Sequence, residues 1–194
     1  MRCPYCRTPL TEHSAECPSC RLTLDRAASL LGPVPRMTPV VGDLAGVFRQ
    51  RGKKKLRQAI NRLEWNFPQV HFHILAHAFS SEHPFDLNVF WFFNCGALSG
   101  EHEKAGKNHT VLLALDPIQS KSSIMVGYGL EPFLSAEALD HILELAGPAW
   151  SKRDWIRGTL EVIEGIERLL ESSAISVAVG FGLSPLVIAP SRDY

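Results

Sequence analysis

Cysteines are the residues whose types and spacing most constrain the chemistry of this chain. Four of the five lie in two C-x2-C pairs, Cys3-Pro4-Tyr5-Cys6 and Cys17-Pro18-Ser19-Cys20. One such turn sets two thiolates on one side of a tetrahedron, and a second completes a closed four-sulfur site of the kind structural zinc prefers. Pro4 and Pro18 stiffen the turns, and the ten residues between the pairs are largely polar, as a short connecting hairpin should be. The competing reading, two disulfides, needs an oxidising compartment, and the start Met-Arg-Cys-Pro has no apolar secretory segment. The expectation is a zinc ribbon over residues 1–25 in a cytoplasmic protein. Thiolates at all four positions leave no opening for water or substrate, so the zinc would be structural.

The remaining reactive side chains carry weaker signals. His71, His73 and His77 fall on odd positions of a strand read over residues 70–79 and so share one side of a sheet. A His-x-His pair can bind zinc, but a catalytic zinc needs three converging ligands, and His77 stands four residues further along the strand than His73. The reading adopted is a face partly under a helix, each imidazole hydrogen-bonded or reaching the strand edge. His83, His102 and His109 fall in loops; His102 beside Glu101 and Glu103 could form a metal site, although a solvated polar loop is commoner. Cys95 follows an apolar stretch with neither a base nor a pKa-lowering neighbour in sequence, which suits a small buried hydrophobe better than a nucleophile.

These residues must be held by a scaffold, and 194 residues with 45% apolar content suffice for one globular domain plus a small module. Three prolines and a glycine within 31–39 mark an extended linker, taken as residues 26–42. Leu56, Ile60, Leu63 and Phe67 then form one apolar stripe of a helix over residues 50–66, stopped by Pro68. A second helix, capped by Asp86, is apolar nearly all round and therefore buried. The run at 110–115 and the strand at 122–127 make a hairpin. Ser135 caps the next helix, with Leu134 and Leu139 as a hydrophobic staple, and Gly147-Pro148 ends it. Ser151-Lys-Arg-Asp154 reads as the capping box of a last long helix. The fold expected is α/β, a three-layer sandwich of a small mixed β-sheet flanked by helices.

Within residues 43–171 the chain resembles the TPM domain family, which includes a plant thylakoid acid phosphatase. The motifs carrying the resemblance are Val111-Leu-Leu-Ala-Leu115, then Ile124-Met-Val-Gly-Tyr-Gly-Leu-Glu131, where the family has a strand closing in Gly-Tyr-Gly-x-Glu. Asp43-Leu-Ala-Gly-Val and the stretch from Trp150 to Gly158 add support. The resemblance implies acidic loop ends able to bind calcium or magnesium, and phosphatase activity in some members. Asp43 and Glu131 are retained here, and Asp86 and Asp116 are further oxygen donors. Asn108-His109-Thr110 stands where the family shows Asp-Asn-Gly, so a hard cation would find a neutral amide at Asn108 in place of a carboxylate. That departure favours a binding or accessory module over a divalent-metal-dependent phosphatase, and it leaves the catalytic residues unknown.

Charge divides the chain. Eleven basic and four acidic residues precede Gln58, while nine basic and sixteen acidic follow, so the overall zero hides halves of +7 and −7. The basic excess concentrates in Arg49, Arg51, Lys53, Lys54, Lys55, Arg57 and Arg62. Such a cluster suits an anionic partner, whether acidic protein, membrane headgroup or nucleic acid, but it lacks the aromatic residues that would stack bases. The uncharged stretch within residues 172–194 is broken by Gly180, Gly182 and Pro185, at the lower limit for a spanning helix. It is read as a tail docking on the domain, with Ile175, Val177 and Val179 alternating as in an edge strand; membrane association through it is the alternative.

Overall fold

The computed structural model describes residues 2–11, 13–33, 40–96 and 106–180. The elements among them are α1 (Leu24–Leu31), β1 (Val41–Asp43), α2 (Gln50–Asn66), β2 (His71–Ala76), α3 (Phe85–Cys95), β3 (Thr110–Asp116), β4 (Lys121–Val126), α4 (Ala136–Ser151) and α5 (Trp155–Gly180), with a 3-10 turn at Gly106–His109 before β3. Strand order follows the chain: β1, β2 and β3 run parallel, and β4 returns antiparallel as the hairpin partner of β3. This is the expected α/β architecture with a mixed sheet.

Strand alternation sorts the core into two halves. Phe72, Ile74, Ala76, Val111, Leu113 and Leu115 face one side, where Leu56, Ile60 and Leu63 of α2, Ile142 of α4 and Ile163 of α5 cover them. Leu75, Leu112 and Ala114 face the other, packed under Val89, Phe92 and Phe93 of α3. α3 is apolar on its far side too, because Leu87 and Trp91 meet Cys3, Cys17, Leu22 and Ala27 of the N-terminal module. The cysteine module thus adds a layer outside the sandwich.

Several local expectations are corrected. Residues 26–31 of the expected linker belong to α1, whose helix opens on a Thr23 cap (Thr23 Oγ1 accepts from Arg26 N, 3.1 Å) and packs on α3. Asp86 is not a cap but lies in the first turn of α3, behind Pro84. α4 runs through Gly147-Pro148 to Ser151. Proline inside a helix costs about 3 kcal/mol, and the residues that continue the helix beyond it, Ala149 and Trp150, are buried. Asp154, not Ser151, caps α5, accepting from Arg157 N at 3.1 Å. The expected edge strand is helix: α5 continues to Gly180, with Ile175, Val177 and Val179 exposed and Ala178 buried. Residues 181–194 of the expected tail lie outside the described residues. No helix among the described residues is long and apolar enough to cross a membrane.

Candidate functional site

The two cysteine turns are built alike. Cys3 N donates to Thr8 O and Arg7 N to Cys3 O, both at 2.9 Å; Cys17 N donates to Leu22 O at 3.0 Å and Arg21 N to Cys17 O at 2.9 Å. Arg7 and Arg21, each following the second cysteine of its pair, take positive φ values of 61° and 56°. These matched turns aim four sulfurs at one point, with ligand atoms all within 4.8 Å of one another. Sγ–Sγ separations are 3.6 Å for Cys3–Cys20 and for Cys6–Cys17. A tetrahedron with metal–sulfur bonds of about 2.3 Å has edges of about 3.8 Å, so the spacing fits a four-sulfur metal site. The protonation chemistry fits as well. The Thr8 hydroxyl, 3.2 Å from its sulfur, together with the Thr8 backbone holds the Cys6 thiol down at about 6, whereas burial pushes Cys20 up to about 12 and raises Cys3. A bound cation favours the thiolate form of cysteine ligands and so would even out this inequality.

Beside this centre lies a pocket of about 360 Å³. Arg2 and Pro4 of the cysteine module form one wall, Phe90, Phe93 and Asn94 of α3 another, and β4 with the following turn a third. Arg2, Asn94, Asn108, Tyr128, Glu131 and Asp140 bring its polar groups. The turn is shaped by backbone pairing: Gly127 N donates to Thr110 O and Gly129 N to Asn108 O, both at 2.9 Å. Gly129 is required by close approach, since a Cβ there would sit 2.6 Å from His109 Nε2 and 3.0 Å from Asn108 O.

Residues 41–169, well over half of the chain, match the family model described as the TPM domain. The chain belongs to the TPM domain family. Two solved structures resemble this TPM domain protein. One is the N-terminal domain of a protein from P. gingivalis, 19% identical, covering 77% of this chain and 92% of that one with a TM-score of 0.55. The other is the N-terminal domain of the cg2496 protein from Corynebacterium glutamicum, 18% identical, covering 70% and 82% with a TM-score of 0.51. At these identities the likeness is one of fold. No curated protein matches the chain. The cysteine module precedes the matched residues.

The TPM domain divides the expected oxygen donors between sites. Asn108 and Glu131 meet at the pocket, at the end of the sheet where β3 starts and β4 finishes. Asp43 and Asp116 end β1 and β3, which places them at the opposite end. Both are spent on backbone. Asp43 accepts from Val47 N (2.9 Å) and Phe48 N (3.0 Å) and pairs with Lys53 Nζ at 3.0 Å. Asp116, fully buried, accepts from Phe79 N, Ile118 N, Gln119 N and Gln119 Nε2 at 2.9–3.0 Å. Asp86 pairs with Arg7 of the cysteine module at 3.1 Å.

His71 and His73 are half-buried on the α3 side of the sheet, as their odd positions require. β2 ends before His77, whose ring meets Phe79 and Phe92 with centroids 5.0 and 5.7 Å away. Burial lowers its pKa against the opposing pull of Asp116. Cys95, expected inside, is exposed at the end of α3. Glu101, His102 and Glu103 lie outside the described residues. Asp140 was legible in principle, one helical turn beyond the pocket residue Ala136. Arg2 and Pro4 carried no sequence signal for the pocket, because their partners there, from Phe90 onward, lie far along the chain.

Proposed function

We propose that this TPM domain protein is a metal-braced binding module that captures a small ligand in its pocket, and that the ion in the cysteine centre is zinc. The observation that carries the reading is the division of the oxygen donors. A hard divalent cation takes six or more oxygen ligands, and the pocket offers Glu131 and Asp140 with a neutral amide at Asn108. Asp43 and Asp116, which a calcium- or magnesium-dependent phosphatase would draw on, hold backbone N–H groups at the far end of the sheet. Four thiolates without an open position suit zinc in a structural role. The pocket's apolar walls and few polar groups suit a ligand with an apolar body and a hydrogen-bonding end.

The test is turnover of para-nitrophenyl phosphate by the full chain, with and without calcium or magnesium, together with elemental analysis. About one zinc per chain and no metal-stimulated hydrolysis are expected. Calcium- or magnesium-dependent turnover abolished by Glu131→Gln would overturn the binding reading in favour of the phosphatase one. The exposed cations Arg49, Arg51, Lys54, Lys55 and Arg57 at the start of α2 are the surface we assign to an anionic partner. The first turn of that helix contains no acidic residue to offset them.

A further inference from the structure

We propose that the metal at Cys3, Cys6, Cys17 and Cys20 governs the pocket, so that metal loss releases the N-terminal module from α3 and removes one wall of the ligand site. The proposal rests on the zinc and pocket assignments above. Arg2 and Pro4, which form that wall, belong to the first cysteine turn, and Arg2 is bridged to Pro9 across it. Their position is therefore set by the fold of the turn, and the turn's fold by what holds its sulfurs together.

The module cannot supply that hold from its own residues. Among its described residues the buried side chains are Cys3, Pro4, Cys17, Leu22 and Ala27, and two of these are the ligands themselves. A segment so short draws its folding free energy from the metal. Its floor is the outer face of α3, through Leu87 and Trp91. Polar contacts reinforce the docking among the described residues: Trp91 Nε1 donates to Gly32 O at 2.8 Å, and Arg7 pairs with Asp86 at 3.1 Å. The ion pair is largely exposed on the arginine side and contributes little.

The rest of the domain does not share this dependence. Neither apolar cluster around the sheet includes a residue of the module. Metal loss is thus local: α3 keeps its inner face on the sheet and loses its outer cover. Linkage then works in both directions, since a ligand gripped between Arg2 and the turn at 127–131 strengthens metal binding by the factor with which metal strengthens ligand binding.

The experiment uses the full zinc-loaded chain treated with excess chelator, with zinc content, tryptophan emission and amide hydrogen exchange read together. Loss of zinc should shift emission to longer wavelength in the wild type and leave it unchanged in Trp91→Phe. Exchange across residues 85–95 should rise about tenfold or more while residues 110–116 stay protected, and zinc should restore both signals. Zinc release with unaltered emission and unaltered α3 exchange would overturn the proposal, as would loss of protection in β3, which would mean global unfolding. A purified chain without zinc overturns it through the cysteine assignment, seen in the elemental analysis. Phosphate-ester hydrolysis, whatever its outcome, does not enter these readouts.

Discussion

Asp116→Ala should cost this protein about 4 kcal/mol of stability without touching its metal content. The wild-type carboxylate is fully buried and collects four donors: Phe79 N at 3.0 Å, Ile118 N and Gln119 N at 2.9 Å, and Gln119 Nε2 at 3.0 Å. Hydrogen bonds to a charged group contribute about 1.5–3 kcal/mol each, but the four do not simply add. In the variant, the part-buried donors of the β3–β4 turn regain water, whereas Phe79 N stays buried and stranded, and the β2–α3 loop loses its anchor to β3. Breaking a buried charged network costs about 3–5 kcal/mol. At about 2–4 °C per kcal/mol for a chain of this size, the melting temperature should fall by roughly 8–16 °C. Asp116→Asn should lose about half as much, because its amide oxygen can still serve two donors while its NH2 faces the others. Thermal and urea unfolding measure both. A loss below about 1 kcal/mol in the alanine variant, or a fall in bound metal, would refute the argument that this carboxylate is structural.

Two further outcomes follow from the geometry. His77 has its pKa lowered from 6.5 by burial, so it resists protonation in the fold but not in the unfolded chain. The stability this provides is complete above 6.5 and declines as pH drops through 6.5 toward the folded value; urea midpoints at pH 7.5 and about 5.5 should therefore differ more in the wild type than in His77→Gln, and equal differences would sink the idea. Gly158→Ala places a Cβ 2.5 Å from Trp150 Nε1 and should destabilise by about 2 kcal/mol, read by thermal melts.

Where periodicity and burial agree, the sequence was explicit. Leu56, Ile60 and Leu63 predict α2 to its ends, and the unbroken run at 110–115 is the central strand, buried on both faces. The cysteine spacing predicted the cluster because its geometry is local. β1 was illegible, since three residues after a proline-rich stretch carry no period, and they are strand only through pairing with β2. Ile175, Val177 and Val179 alternate like a strand, yet helix propagation from α5 is cheap once begun and meets no breaker before Gly180. Half of the candidate site misled for a related reason. Asp43 and Asp116 have the right chemistry for a cation, but sequence does not record that backbone N–H groups already claim their oxygens. The pocket itself joins residues from Arg2 to Asp140, a meeting that tertiary packing alone creates.

The helix α3 has a consequence for how the chain can be divided. Its two greasy sides rest on different partners, the sheet within the family match and a cysteine knob that lies before that match begins at residue 41. The unit that the family match delimits and the unit that shields itself from water are therefore not the same. A fragment trimmed at residue 41 would present Leu87 and Trp91 bare to solvent, an apolar patch of the kind that promotes self-association, so the cysteine appendage roofs a face that the matched residues alone leave open.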